Sequence, residues 1–188
     1  MARTRRSSPE ARALADKWLT DKRAVAPEMV DPVLAIAAAH GDAAFQQKLI
    51  TAVRAEKERK TRQQLLGALG SFSDPELAKQ SMALVFDKSQ DPRETVFLVF
   101  AASQNVKTQG VAFDFLKANY DKLVGDSPDA LLPAEVAGRM AFVGGGFCGA
   151  DRRQQLADFF TERQRAWPPA ARGMLARRCW SRWTSAPR

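Results

Sequence analysis

The sequence predicts an all-α protein, built as a superhelical stack of antiparallel helix pairs of the HEAT or armadillo type. Two observations lead to this prediction. About nine segments carry apolar side chains at helical spacing, and none alternates polar and apolar residues as a half-buried strand does. Helix pairs also recur about every 30–40 residues without strict identity, which is typical of stacked repeats. The predicted helices cover residues 9–19, 33–40, 43–59, 61–69, 75–87, 93–103, 111–123, 134–143 and 152–162.

The first two predicted helices begin near prolines. The first has an apolar stripe, and we expect Trp18 to anchor it in the core. The stripe consists of Ala11, Leu14, Ala15, Trp18 and Leu19. Asp31 and Pro32 start a short, almost wholly apolar helix that ends at His40. We therefore expect that helix to be buried between its neighbours.

Residues 62–77, the most informative stretch of the sequence, contain the end of the fourth predicted helix, a turn and the start of the fifth. Asp42 caps the third helix, whose inward residues are predicted to be Phe45, Leu49, Ile50 and Val53. The fourth helix leads into a turn that begins at Gly70. Asp74 then caps the fifth helix and Pro75 takes its first position, the arrangement that helix N-termini prefer.

The later helices follow similar start signals. Asp91 and Pro92 start the sixth, and they favour a helix although its β-branched and aromatic residues also suit a strand. The glycines at 144–146 predict a flexible joint rather than a phosphate loop, because no Lys-Ser/Thr pair follows them. Asp151 is predicted to cap the last helix.

The net charge of +8 is concentrated at the two ends of the chain. Residues 1–8 carry three Arg and residues 163–188 carry seven, with no acidic residue in either segment. The rest of the chain holds 19 of the 29 basic side chains against all 21 acidic ones. A nearly neutral body without a basic helix stripe argues against nucleic acid as the partner.

Neither a membrane segment nor a disulfide framework is expected. No apolar run approaches the roughly 18 residues that span a bilayer, and no apolar signal region follows the basic N-terminus. We therefore expect a cytoplasmic protein with no membrane partner. Cys148 and Cys179 lie far apart in different contexts, so we expect two buried free thiols.

No catalytic, cofactor-binding or metal-binding residue can be singled out. His40 is the only histidine, and its place at the end of an apolar helix favours a capping role over catalysis. A single histidine also excludes the zinc-peptidase pair at positions i and i+4 of one helix. The residues alone therefore indicate a binding or supporting domain.

Several motifs occur in an order found in one peptidase family. They are Ala-Ala-Ala-His-Gly-Asp at 37–42, Leu-Gly-x-Phe-x-Asp-Pro at 69–75, Ser-Gln-Asp at 89–91, the helix at 112–123 and Phe-Cys at 147–148. With these motifs the sequence resembles the C-terminal helical domain of zinc aminopeptidases related to the puromycin-sensitive and endoplasmic-reticulum enzymes. The resemblance covers about residues 11–163.

The resemblance implies a helical superhelix that closes over a zinc-bearing catalytic domain and encloses peptide. The family's His-Glu-x-x-His and Gly-x-Met-Glu-Asn motifs are absent from this sequence. This chain alone is therefore not expected to be an enzyme, and zinc is expected only in the catalytic domain. Gln90 and Asp91 lie at a joint that resembles one facing the family's cavity, so they are candidate peptide contacts. The simpler interpretation of Asp91 is a helix cap.

The C-terminal tail departs from the family. Residues 164–188 are rich in Arg and Trp where the resemblance implies a further helix. The family's further helix contains a Leu-Glu element that is missing here. If the tail is translated back into codons, another reading frame of those codons can encode Leu-Leu-Glu. One interpretation is therefore that the tail is read out of frame. We expect a basic disordered head at 1–8, a helical-repeat domain at 9–163, and a disordered tail.

The sequence leaves three hypotheses for the function of the chain. The leading hypothesis is a non-catalytic C-terminal domain, present as a fragment or remnant of a zinc aminopeptidase, with the catalytic domain or peptide as partner. The alternative is a stand-alone helical-repeat scaffold that binds a protein or peptide. A third hypothesis, a nucleic-acid binder, depends only on the basic ends.

Overall fold

The prediction of an all-α protein is confirmed by the computed structural model, which describes residues 2–124 and 129–164, without the side chains of residues 2–8, 135 and 164. Ten α-helices are found in this part of the chain, and an isolated bridge joins Val124 to Leu132. The helices are α1 Ala2–Thr20, α2 Pro27–Ala39, α3 Ala43–Ala55, α4 Arg59–Leu69, α5 Pro75–Met82, α6 Pro92–Thr95, α7 Phe97–Ser103, α8 Gln109–Leu123, α9 Ala137–Met140 and α10 Ala150–Gln164.

The first two helices begin earlier than predicted. Helix α1 begins at Ala2 and contains Pro9, where the start was expected. Helix α2 begins with Pro27 at its first position, so the predicted start at Asp31 and Pro32 is wrong. The earlier start buries Val30 in the core, although Pro32 inside the helix has no N–H to donate.

Three predicted N-caps are confirmed by their hydrogen bonds. The Asp42 carboxylate accepts from the backbone N–H of Phe45 at 2.8 Å, and the Asp74 carboxylate accepts from two backbone N–H groups at the start of α5. Asp91 caps α6 in the same way by accepting from Arg93 at 2.8 Å. These bonds satisfy backbone donors that the first turn of a helix leaves unpaired.

Other helix ends differ from the prediction. Helix α3 ends at Ala55 rather than Arg59, because the Glu58 side chain accepts from two backbone N–H groups and caps α4. Asp151 lies inside the first turn of α10 and is not its cap, since the helix begins at Ala150. Its charge still complements the positive end of the helix dipole. Short 3-10 turns occupy Ala83–Phe86, Ala134–Val136 and Ala141–Gly144.

The helices pack in two series that contact each other. One series contains α2, α4 and α7, in which α2 contacts α4 and α4 contacts α7. The other contains α3, α5 and α8, in which α3 contacts α5 and α5 contacts α8. Contacts of α3 with α4, α5 with α7, and α7 with α8 join the two series. One apolar core runs between them from Ala11 to Phe160.

The core confirms most of the predicted inward residues. Trp18 is buried, as are the four predicted inward side chains of α3. Leu14 is a correction, because it is exposed at the edge of the α1 stripe whose Ala11 and Ala15 enter the core. Cys148 is also a correction: it is exposed in the loop before α10, where its neighbour Phe147 takes the buried position. Cys179 lies outside the described residues.

Side chains on different helices are linked at a regular separation along the sequence. Lys48 bonds to Asp16 and Arg62 bonds to Glu94, each across 32 residues. Arg54 bonds to Asp87 across 33 residues, and other long-range side-chain bonds span 30 to 38 positions. Side chains separated by about one predicted repeat length therefore face one another in this part of the chain.

Candidate functional site

One open groove runs along the exposed faces of α2, α4, α6 and α7. Its first half is a depression of about 550 Å³. It is lined by Asp31, Ala35, Arg59, Lys60, Gln63, Gln64, Leu66, Gly67, Ala68, Arg93, Glu94 and Phe97. Its second half, of about 660 Å³, is lined by Ala35, Ile36, Ala39, His40, Gly67, Gly70, Ser71, Phe97, Phe100, Ala101, Gln104 and Asn105. We call these two depressions together the α2–α4–α7 groove.

The groove has three sides, formed by α2, by α4, and by α6 with α7, and the chain runs in the same direction along each of them. Ala35, Gly67 and Phe97 line both halves and so mark where the halves meet. On each helix, earlier residues line the first half and later residues line the second. The groove is therefore built from the three helices of the first series together with α6.

The middle of the groove is apolar and open to solvent. Ile36 is 41% exposed and Phe97 is 50% exposed. Large apolar side chains that stay in water on a concave surface are typical of binding sites, since their burial by a partner is favourable. The groove centre can therefore accept an apolar group.

One end of the groove carries charge. Arg62 donates from Nε to Glu94 at 2.8 Å, and Arg59 contacts the same carboxylate at 3.3 Å. The hydrogen bond that Arg62 donates to Glu94 raises the pKa of Arg62, because this bond favours the charged guanidinium. Lys60 and Arg93 add two exposed cations, and Asp31 adds one exposed anion. This end is positively charged overall.

The other end is polar and ordered by local hydrogen bonds. The Ser71 hydroxyl donates to the Gly67 carbonyl at 2.8 Å, and the Asn105 amide donates to the Ser73 hydroxyl at 3.1 Å. His40 lines this end and is the C-terminal cap residue of α2, as predicted, and the backbone N–H of the next residue, Gly41, donates to the Ala38 carbonyl at 2.9 Å. These groups can orient polar atoms of a ligand.

The sequence of this helical domain matches a known protein family. The profile of the ERAP1-like C-terminal domain matches residues 2–179. The chain belongs to this family. The resemblance inferred from the sequence is thereby confirmed, and the matched range extends beyond both ends of residues 11–163. A search of curated proteins finds no match to the sequence.

The described part of this ERAP1-like domain contains no residues that fit a catalytic zinc ion. Among residues 2–124 and 129–164, no three His, Cys, Asp or Glu side chains come together where a metal ion could be held. Structural and catalytic zinc sites need three or four such ligands. In the same residues, no helix is both long and apolar enough to cross a membrane.

The predicted peptide contacts lie beside the groove. The Asp91 carboxylate is engaged as the cap of α6, and the Gln90 amide donates to the Ser89 hydroxyl at 3.2 Å. Neither residue lines the two depressions, although Asp91 is two positions before Arg93, which does. Peptide contact by Gln90 and Asp91 stays a prediction.

The sequence patterns did not identify the groove residues. Gly67 was predicted only as part of the fourth helix and of the 62–77 stretch, and Phe97 only as part of the sixth helix. A signal did exist, because Ala35, Gly67 and Phe97 are 32 and 30 positions apart. Those separations match the predicted repeat length of about 30–40 residues, but only the packed helices show that the three residues line one groove.

Proposed function

We propose that this chain is the non-catalytic C-terminal domain of an ERAP1-like aminopeptidase. In this proposal it supports a zinc-bearing catalytic domain and forms part of the wall that encloses peptide. The catalytic domain is expected either in the same polypeptide or as a separate chain. The observation that carries the proposal is the α2–α4–α7 groove, which presents an apolar centre between two polar ends in a domain of this family.

We also propose that the helices form a superhelical stack of antiparallel pairs. The two contact series and the side-chain bonds spanning 30 to 38 residues support this arrangement, since neighbouring repeats should meet at one repeat length. Each pair would leave an apolar face uncovered without its neighbours. The groove would then lie on the concave side of the stack, where solenoids bind their ligands.

The test measures peptide hydrolysis with and without this chain. A zinc aminopeptidase catalytic domain of the family is assayed on short and long peptides, alone and with the full 188-residue chain. We expect the chain to have no activity alone and to change how the catalytic domain selects among peptide lengths. Phe97→Asp should abolish that effect, whereas Val106→Asp, at an exposed site outside the groove, should preserve it. An unchanged length profile would contradict the proposal.

A stand-alone peptide-binding scaffold is the second candidate function. It is supported by the continuity of the groove, whose two halves share Ala35, Gly67 and Phe97. Fluorescence anisotropy with labelled peptides distinguishes the two functions. A scaffold should bind peptide tightly without any catalytic domain, whereas an enclosing wall should bind tightly only when the catalytic domain holds the other end of the peptide.

A further inference from the structure

Gly67 lies in the last turn of α4, where glycine is still less favourable than alanine. Glycine loses more backbone freedom on folding than alanine and gains no side-chain contact, so it weakens a helix relative to alanine. Glycine is usually retained in a helix because the backbone needs an unusual conformation or because another group packs closely against it. Neither reason is found within the described part of this fold.

The surroundings of Gly67 leave room for a side chain. An added Cβ at Gly67 meets no atom within 4 Å, and no described glycine has a positive φ. Gly70, in the same stretch, is different: an added Cβ there would lie 2.5 Å from the Ala101 Cβ. Gly70 is therefore required by the contact between α4 and α7, whereas Gly67 is not required by any described contact.

Gly67 is also one of the three residues at which the two halves of the groove meet. Ala35 and Phe97 lie beside it, and the Ser71 hydroxyl holds its carbonyl at 2.8 Å. The open space above Gly67 is consequently the space of the groove itself. A side chain at this position would raise the floor at its centre.

We propose that Gly67 determines peptide specificity, by letting the backbone of an extended peptide lie directly on α4. A large apolar side chain of the peptide then packs between Ile36 and Phe97, the two exposed apolar residues of the groove. This inference rests on the proposed function, because it takes the occupant to be the peptide that the domain encloses. Beyond the proposed function, the inference names Gly67 as the residue that makes room for the peptide backbone, and it names the peptide sequence that the groove prefers.

Charge complementarity fixes the second preferred residue of the peptide. The Glu94 charge is offset by Arg62 and Arg59, and Lys60 and Arg93 then outnumber Asp31 at this end. Arg93 in α6 precedes Phe97 in α7 by four positions, and Val96 between the two helices keeps a helical backbone. The rise from Arg93 to Phe97 is therefore about one helical turn of 5.4 Å. Two residues of extended chain cover about 6.6 Å. The preferred peptide therefore carries an apolar residue and an acidic residue two positions apart.

The test uses the full chain and labelled synthetic peptides that keep a free N-terminal amine and have a first peptide bond resistant to hydrolysis. The reference peptide contains Phe-Ala-Asp within a neutral polar host, and two variants replace Phe by Ala or Asp by Asn. The chain is measured by fluorescence anisotropy together with the catalytic domain, and its Tm is measured by circular dichroism. The variants are Gly67→Ala and Gly149→Ala, since an added Cβ at Gly149 also meets nothing within 4 Å.

We expect Gly67→Ala to raise Tm by about 2–3 °C, because alanine strengthens the helix. The same change should weaken binding of the reference peptide by about tenfold or more, since the backbone can no longer reach the floor. Gly149→Ala should leave binding unchanged, and both peptide variants should bind more weakly than the reference. A more stable Gly67→Ala chain that binds the reference peptide as well as the unmodified chain would overturn the inference. A lower Tm for Gly67→Ala would also overturn it, because it would show that the fold itself needs the glycine.

The proposed function can fail separately. If the unmodified chain binds none of the three peptides in the presence of the catalytic domain, the proposed function fails. If it binds all three equally and Gly67→Ala changes nothing, only the role of Gly67 and the sequence preference fail.

Discussion

Arg62 in α4 donates two hydrogen bonds to Glu94 in α6, at 2.8 Å from Nε and 3.4 Å from Nη2. The side chains are only 23% and 14% exposed, so the pair is less screened by water than an ion pair on an open surface. The two-pronged geometry uses the planar shape of the guanidinium. This ion pair joins α4 to α6, which form neighbouring walls of the groove.

Glu94→Gln should lower the free energy of unfolding by about 1 kcal/mol, since it keeps the hydrogen-bond acceptor but removes the charge. Arg62→Lys should cost a similar amount, because a single ammonium cannot replace the fork. Urea denaturation followed by circular dichroism measures both. Glu10→Gln is the matched control, at an exposed position of α1, and should have no effect. Equal midpoints for all four proteins would contradict the prediction.

Gly70→Ala should destabilise the fold by about 1–3 kcal/mol, because its new methyl group would press on Ala101 unless α4 and α7 separate. The double change of Gly70→Ala with Ala101→Gly should recover part of the loss, since it restores the space. Thermal unfolding of the two single variants and the double variant measures the coupling. A double variant as unstable as the sum of the singles would show that the two positions are not in contact.

Asp16 makes stability depend on acid pH. Burial tends to raise the pKa of Asp16, but hydrogen bonds from Lys48 and Arg12 outweigh that effect and hold the pKa below its ordinary value. A carboxyl whose pKa is lower in the folded state stabilises the fold above its unfolded pKa of about 3.9, and this stabilisation is lost as pH falls through the folded value.

Asp16→Asn should therefore be less stable than the unmodified chain at pH 7, and the difference should shrink as the pH falls below about 4. High salt should also reduce the difference, because Asp16 and Lys48 are partly exposed. Unfolding curves at several pH values and two salt concentrations check both statements. A difference that is constant from neutral to acid pH would rule out the charge as its cause.

Local chemistry made much of the fold predictable from the sequence. Asp42, Asp74 and Asp91 were correctly predicted as caps, because a capping bond involves residues only two or three positions away. The start of α2 was predicted wrongly because both Pro27 and Pro32 can begin a helix. The choice between them depends on burying Val30, which is a tertiary effect.

The groove could not be predicted in the same way. Its residues lie on helices about 32 positions apart, and their meeting depends on how the two series pack. Exposed apolar residues such as Phe97 follow the same spacing as core residues, so the sequence pattern cannot separate them. Leu14 was assigned to the core for that reason and is in fact exposed.

Asp91 can be tested as both a cap and a peptide contact. Asp91→Ala should cost about 1 kcal/mol through loss of the cap, whereas Asp91→Asn should keep full stability, since Asn caps as well as Asp. Because the Asp91 carboxylate already accepts from the Arg93 backbone N–H, the cap interpretation predicts that Asp91→Asn binds peptide as well as the unmodified chain does. The peptide-contact prediction for Gln90 expects Gln90→Ala to bind peptide more weakly. Weaker binding by stable Asp91→Asn would instead show that its charge contacts the peptide.

Phe159 should decide whether α10 stays attached to the rest of the domain. Its ring makes edge-on contacts with Phe113 at 5.9 Å and Tyr120 at 5.4 Å, both in α8, and with Phe160 at 5.1 Å. The Arg163 guanidinium lies 3.9 Å from the centre of the same ring. Such aromatic and cation–π contacts add to the free energy gained by burying the ring.

Phe159→Ala should therefore lower stability by about 2–4 kcal/mol and release α10 before the rest of the chain unfolds. Hydrogen exchange read by mass spectrometry should show faster exchange over Ala150–Gln164 and unchanged exchange over Ala43–Ala55. Phe142→Ala, at an exposed phenylalanine, is the control and should change neither. If both helices exchange faster to the same degree in Phe159→Ala, α10 is part of a single cooperative unit with α3, and the aromatic cluster stabilises the whole domain rather than one end of it.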